Sequence, residues 1–299
     1  MDGKPTLTYS SKEILLEPYE YLLQVPGKDV RGKLIDSFNK WLQISEPELN
    51  QIKTIVSMLH NSSLLIDDIE DNSVLRRGLP VAHKVYGVAS AINCANYVYF
   101  VALQQCASMN NPKASAMFLE EMINLHHGQG FDIFWRDHQI CPTEEEYKKM
   151  VLDKTGGLFR LAVKLIQAFS KDERDYIPLV NKLAYYFQVR DDFINLQSQD
   201  FMDHKGFCED ITEGKFSFPI IHSIRAVPHD HRLLSILKQR TNDVELKKYA
   251  VKYMEQTGSF EYTRNILKGL HEDIVQEIDR LGGNDLLMKI VELLAQYKV

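Results

Sequence analysis

Several features are missing from this sequence, and each absence removes a class of protein. No apolar run approaches the roughly eighteen residues needed to cross a bilayer, which predicts no stable membrane insertion. The four cysteines, Cys94, Cys106, Cys141 and Cys208, are scattered and form no CxxC pair. That spacing fits reduced thiols in a cytoplasmic protein better than a disulfide frame or a zinc site. A basic excess is absent too: the net charge is −6, which argues against nucleic acid as a partner. The stretch from Met1 to Lys12 has neither a secretory apolar core nor an Arg-rich transit pattern. Repeats, low-complexity tracts and linkers are also missing, so residues 1–299 are expected to form one domain.

What remains is a 299-residue chain with 44% hydrophobic and 25% charged residues, the balance of a globular protein. A chain of this length buries roughly three quarters of its unfolded surface, enough for a large core. Helical periodicity dominates it, and convincing strand alternation is hard to find. Ile52, Ile55, Val56, Leu59 and Ser63 recur at steps of three and four, the buried stripe of a helix. Ala91–Ser108 is apolar nearly all round and predicts a central helix. Further helices are expected within Ala114–Trp135, Glu144–Ser170, Asp175–Gln199 and Ser259–Leu281. Pro26-Gly27, Arg77-Gly78 with Pro80, Asn111-Pro112, Cys141-Pro142 and Gly282-Gly283 punctuate them. The expectation is an all-α bundle of about a dozen helices.

The sharpest chemical feature is Asp67-Asp68-Ile69-Glu70-Asp71, at the end of the helix that begins near Gln51. Asp67 and Asp71 stand at i and i+4, so their carboxylates leave one helix face a turn apart and repel. A cation between them reverses the sign, and Mg²⁺ favours one or two carboxylates completed by phosphate oxygens and water. Alone, such a cluster reads equally well as a solvated acidic helix end. A second cluster, Asp191-Asp192-Phe193-Ile194-Asn195, repeats the spacing within another helical stretch. The apolar flanks Leu64-Leu65-Ile66 and Phe193-Ile194 imply partial burial, which bare aspartates tolerate poorly.

Cations accompany both clusters. Arg76-Arg77-Gly78 follows Asp71 almost at once, and guanidinium forks suit bidentate phosphate binding. Lys28 and Arg31 open another helix, and His60 lies two turns before Asp67 on nearly the same face. Lys154-Thr155-Gly156-Gly157, Lys205 and Glu213-Gly214-Lys215 come later. Singly, each is an ordinary surface or core residue; the set carries the weight.

In this order, the motifs resemble those of the trans-isoprenyl diphosphate synthases over nearly the whole chain, most closely the animal and fungal geranylgeranyl type. Gly27–Arg31, Leu59–Asp71, Leu75–Gly78, Leu125-His126, Gly128–Ile133, Lys154–Gly157, Gln188, Arg190–Asp192 and Phe207–Lys215 carry the resemblance. It implies an isoprenoid-synthase-type helical bundle around a deep central cavity. It further implies that Asp67, Asp71 and Asp191 hold three Mg²⁺ ions around an allylic diphosphate. Arg76, Lys154, Thr155, Gln188, Lys205 and Lys215 would contact that substrate, and Lys28, Arg31, His60 and Arg77 would bind isopentenyl diphosphate. The implied reaction is ionisation of dimethylallyl, geranyl or farnesyl diphosphate, condensation and proton loss. A homodimer or larger homo-oligomer through the apolar Ala91–Phe134 region is implied as well.

Asn195 replaces the last aspartate of the commoner second motif and is expected not to ligate metal. Ser62 and Ser63 stand one turn before the first aspartates, where bulky side chains would stop chain growth. Their small size predicts a C20 product, with Tyr99, Phe100 and His126 as floor residues by resemblance. Alternatives are a shorter-chain synthase, a class I terpene synthase on the same fold, or a non-catalytic regulatory subunit. Asn195 and Gln199 replace the hydroxyl-then-glutamate series expected of a cyclase, and both aspartate clusters are intact, against the regulatory reading.

Overall fold

A computed structural model describes residues 11–27, 29–197 and 207–296; Lys28 and Lys205 lie outside the described residues. Among those described, the chain forms fourteen helices: α1 Ser11–Leu23, α2 Val30–Leu42, α3 Glu46–Glu70, α4 Ala82–Tyr86, α5 Val88–Ser108, α6 Pro112–His138 and α7 Glu144–Phe169, then α8 Ile177–Gln197, α9 Glu209–Glu213, α10 Phe218–Ala226, α11 Arg232–Gln239, α12 Val244–Gln256, α13 Ser259–Arg280 and α14 Asp285–Ala295. The fold is therefore all-α. Between α3 and α4, two short strands, β1 Leu75–Arg76 and β2 Leu79–Pro80, pair antiparallel. A two-residue strand carries no alternation, which is why the hairpin escaped the sequence pattern. None of the described helices is long and apolar enough to cross a membrane.

Caps set the helix ends. At α7 the Thr143 hydroxyl accepts from the Glu146 N–H at 3.1 Å, and the Glu146 carboxylate accepts the Thr143 N–H at 2.7 Å. This reciprocal capping box, with three acidic residues in the first turn, satisfies orphan donors and suits the helix dipole. Ser45 and Glu48 form the same device at α3, so that helix starts earlier than the apolar stripe from Ile52 indicates. The α6 N-terminus is held by Asn111, which accepts from the Lys113 N–H at 3.0 Å, with Pro112 preset for the first helical position.

The core joins α2, α3, α7, α8, α10, α13 and α14 through fully buried Phe38, Tyr147, Tyr176, Phe193 and Phe218. A smaller cluster packs α1 and α4 on α3 and α5, around Leu22, Leu65 and Val98. The closest approach that matters for the site is between α6 and α7. A Cβ on Gly128 would meet the Lys154 backbone N at 2.3 Å and the Met150 carbonyl oxygen at 2.8 Å. Only a hydrogen fits there, so Gly128 sets the position of Lys154. Gly128→Ala is expected to cost about 1–3 kcal/mol or more through overpacking and to displace Lys154. A lowered Tm together with weakened diphosphate binding would bear this out, and an unchanged Tm would count against it.

Candidate active site

The C-terminal turn of α3 delivers Asp67, Asp68, Glu70 and Asp71 together. Carboxylates at a helix C-terminus oppose the helix dipole as well as each other, so cations are needed before the segment is stable. The β1–β2 hairpin supplies the first by folding Arg76 back onto the helix. Arg76 Nε and Nη2 donate to Asp68 Oδ1 at 2.8 and 2.5 Å, and Nη2 reaches Asp67 Oδ2 at 3.3 Å. Asp68 is 1% exposed; its partner is the guanidinium, and Asp67 is the more open of the two.

From α6 and α7 come the remaining neighbours. Gln129 Nε2 donates to Glu70 Oε2 at 2.6 Å. Lys154 Nζ donates to Asp132 Oδ2 at 2.7 Å and stands 3.7 Å from Asp67 Oδ1. Arg136 Nη1 donates to Asp71 Oδ1 at 2.5 Å while Nη2 donates to the Glu70 carbonyl at 3.0 Å. Burial, reinforced by the charge of Asp67, pushes the Asp71 carboxyl well above its ordinary range. Burial also works to raise Asp132, but the adjacent Lys154 and Lys215 ammonium groups outweigh it and hold that carboxyl low. Burial likewise opposes the Lys154 charge, and Asp132, Asp67 and Asp71 more than offset it.

On α8 the roles within the second pair are divided in the same way. Asp192 is 1% exposed and accepts four hydrogen bonds. They come from the Tyr147 hydroxyl at 2.5 Å, the Phe218 N–H at 2.8 Å, Gln188 Nε2 at 2.8 Å and Lys215 Nζ at 3.3 Å. Asp191 is only partly buried and acts electrostatically on Arg31. Asn195 turns its side-chain oxygen to the Asp210 N–H at 3.1 Å, a structural bond that ties α8 to α9. Thr155 donates to Gln188 Oε1 at 2.7 Å. Asp132, Lys154, Thr155, Gln188 and Lys215 line one small recess with Tyr147, Met150 and Val151. The two aspartate clusters thus meet across α7: Glu213, at the end of α9, has its carboxyl pushed well up by burial and by the charges of Asp71 and Asp210.

A second, cationic set lies between α2, α3 and the hairpin. Arg31 Nη1 approaches His60 Nε2 at 3.1 Å, and its guanidinium lies 5.5 Å over the Phe159 ring. Its buried Nε has no partner among the described residues. Burial lowers Arg31 to about 10, so it stays charged at neutral pH. Burial, with Arg31, Arg77 and Arg76 nearby, lowers His60 to about 2 and keeps it neutral. Arg77 sits at φ 55° and donates through Nη1 to the Val25 carbonyl at 2.6 Å. A Cβ on Gly27 would come within 2.9 Å of its Nη2, so the guanidinium packs closely on that glycine.

Of the residues expected to set chain length, Tyr99 and His126 meet, their rings 6.2 Å apart and edge-on. Ser62 is fully buried, and Ser63 donates to the His60 carbonyl at 2.8 Å. Phe100 does not join them: it is 71% exposed on the outer face of α5. Neighbours on a helix diverge by about 100°, so Tyr99 and Phe100 face different surroundings. Sequence reasoning missed Arg136, Tyr147 and the anchoring roles of Asp68 and Asp192. Trp135-Arg136-Asp137, a charge pair ending a largely apolar helix, was the available signal for Arg136.

A helical bundle whose aspartate-bearing helix ends meet a cationic pocket is the arrangement of the isoprenoid synthases. The polyprenyl synthetase family model matches residues 12–254, and the chain belongs to that family. It is 54% identical to a geranylgeranyl pyrophosphate synthase of Mucor circinelloides f. lusitanicus, over 95% of this chain and 93% of the relative. A geranylgeranyl pyrophosphate synthase of Dictyostelium discoideum is 53% identical over 94% and 92%. A terpene synthase of Matsumurasca onukii is also 53% identical, over 93% and 92%.

Tyr147→Phe tests the Asp192 hub, because it deletes one donor without altering the packing. Removing a hydrogen bond to a buried carboxylate is expected to cost about 1.5–3 kcal/mol, read as a lower Tm. A Tm equal to that of the unaltered protein would sink this assignment.

Proposed function

We propose that this chain condenses isopentenyl diphosphate with allylic diphosphates, namely dimethylallyl, geranyl and farnesyl diphosphate, and releases geranylgeranyl diphosphate, with Mg²⁺ as its metal. The observation that carries the reading is the pair of adjoining charge sets. One is rich in carboxylates and suits a metal-bound diphosphate; the other is cationic, with a buried guanidinium N–H lacking a partner among the described residues, and suits a diphosphate bound directly. The named geranylgeranyl pyrophosphate synthases among its relatives support the product.

Mg²⁺ fits the residues present. Among the described residues, no three carboxylate, imidazole or thiol side chains converge as a ready-made metal cage. Mg²⁺ needs none, since it keeps waters and takes phosphate oxygens beside one or two carboxylates. Asp67, Asp71 and Asp191 would hold it, and when bound it supplies Lewis-acid neutralisation of the leaving diphosphate. Arg76, Lys154, Thr155, Gln188 and Lys215, with Lys205, would grip the allylic diphosphate and take up charge as its C–O bond breaks. Arg31, His60 and Arg77, with Lys28, would hold isopentenyl diphosphate so that its double bond meets the allylic carbon. The adduct then loses a proton, with the released diphosphate as base. Apolar walls exclude water that would otherwise capture the cation.

We read residues 1–299 as one domain, located in the cytoplasm. Exposed Ile92, Phe100, Leu119, Ile123, Phe131 and Phe134 on α5 and α6 form an apolar face that suits a second copy of the chain, giving a homodimer or a larger homo-oligomer. The Matsumurasca relative favours one alternative, a terpene synthase. Such an enzyme ionises a single allylic diphosphate and has no use for the Arg31–His60–Arg77 set.

A product assay separates the two readings. With Mg²⁺, isopentenyl diphosphate and each allylic diphosphate, a C20 alcohol is expected after phosphatase treatment, and Ser63→Phe should shorten it. Hydrocarbons from the allylic substrate alone would move the assignment to terpene synthase, and an unchanged product length in Ser63→Phe would count against the pocket geometry.

The raised Asp71 carboxyl makes metal uptake depend on pH. A group raised this way stays partly protonated toward neutral pH, and ligation requires the carboxylate. Binding is therefore expected to release protons and to tighten as the pH rises from about 6 to about 8. Calorimetry in two buffers of different ionisation heat reads the proton count, and uptake with no proton release and no pH dependence would contradict this.

A further inference from the structure

The proposal drawn here rests on the prenyltransferase reading and adds a residue to it. We propose that Arg136 is the positioning residue of the first aspartate cluster, fixing which oxygen of Asp71 is presented to the metal. Arg136 lies in the last turn of α6 and is 7% exposed. Its guanidinium is committed in three directions. Nη1 donates to Asp71 Oδ1 at 2.5 Å, Nη2 to the Glu70 carbonyl at 3.0 Å and Nε to Asp137 Oδ1 at 3.1 Å. The Glu70 carbonyl belongs to the final turn of α3, where carbonyls lack intrahelical partners. One planar fork therefore grips both the backbone of the helix end and the carboxylate that leaves it.

That double grip removes the rotation of the Asp71 side chain. Oδ1 is occupied by Arg136, and Oδ2 makes no hydrogen bond among the described residues, which leaves it as the oxygen available to a cation. Lysine carries the same charge but cannot reproduce the fork. The far side of Arg136 is braced in turn. Asp137 Oδ1 also accepts from Arg240 Nη2 at 2.6 Å, and Arg240 packs beside Gly214, where an added Cβ would meet its Cγ at 3.3 Å. The brace thus ends against the turn that carries Lys215.

A purely structural ion pair would contribute stability without touching metal affinity, and that difference supplies the test. Binding of inorganic diphosphate to the full chain is followed by calorimetry as Mg²⁺ is titrated, beside steady-state kinetics. Partners that orient a metal ligand are typically worth about 10–100-fold in metal affinity. Arg136→Met is expected to raise the Mg²⁺ concentration for half-maximal diphosphate binding by about tenfold or more, with the KM for isopentenyl diphosphate within about twofold. Arg136→Lys keeps the charge and loses the fork; it is expected to fold and still to bind Mg²⁺ several-fold more weakly, by about threefold or more. An unchanged Mg²⁺ requirement in Arg136→Lys overturns the proposal even where Arg136→Met does not fold. An equal rise in the KM for isopentenyl diphosphate also overturns it, because the effect would then be global. If the unaltered protein shows no Mg²⁺-dependent diphosphate binding, the prenyltransferase reading itself fails.

Discussion

Crowded negative charge at the C-terminal end of α3 and within the C-terminal half of α8 is the constraint around which the rest of the site is built. Carboxylates there oppose one another, those of α3 oppose the helix dipole as well, and leaving any of them buried without a partner costs several kcal/mol. The fold resolves this by splitting each aspartate pair. Asp68 and Asp192, both 1% exposed, are tied to the protein, one by Arg76 and the other by four donors from α7, α8, α10 and the turn before α10. Their neighbours Asp67 and Asp191 are more open. The hairpin follows from the first tie, because Arg76 reaches Asp68 only when the chain reverses after α3. The Glu213–Lys215 turn follows from the second, since Lys215 must return to Asp192.

Neutralisation is left incomplete on the carboxylate side and excessive on the other. Asp71 and Glu213 carry carboxyls pushed up by burial and by other acids, so that region has more negative charge than the chain balances. Across α3, Arg31, Arg76 and Arg77 surround a neutral His60, and Arg31 keeps an unpartnered buried N–H among the described residues. An imidazole between guanidinium groups accepts a hydrogen bond without adding a fourth positive charge. The field therefore differs between the two sides of α3, negative around Asp71 and positive around His60.

The sequence made the helical class, the long central helices and both aspartate clusters legible, because these depend on periodicity and on i, i+4 spacing. The α7 start was legible from Pro142-Thr143-Glu144. The start of α3 was not, since Ser45 and Glu48 cap it ahead of the apolar stripe. Spacing also directed attention to Asp67 and Asp71 and away from Asp68 and Asp192. A buried aspartate looks identical to an exposed one until its donors are known, and Tyr147 and Phe218 are far away in sequence. Arg136 was hidden for the same reason: its partner Asp71 lies on another helix. Phe100 was grouped with Tyr99 by resemblance, and helical rotation sends the two neighbours to different faces.

Helix length bears on how a C20 chain would be accommodated. Each isoprene unit is about as long as one helical turn, so four units extend about 22 Å from the diphosphate. Helix α3 has 25 residues, which at 1.5 Å each makes it about 37 Å long. It can flank the entire product with turns to spare, and its far end is pinned to α5 by Gln51, which donates to the Gln105 carbonyl at 3.1 Å. The frame therefore imposes no stop of its own at C10, C15 or C20. Near the aspartates α3 carries the small Ser62 and Ser63, and the Tyr99 ring of α5 meets the His126 ring of α6. His126 is held by its own Nδ1 contact with the Met122 carbonyl at 2.7 Å, which restrains its ring against Tyr99. The helical frame itself is thus long enough for shorter and longer chains alike.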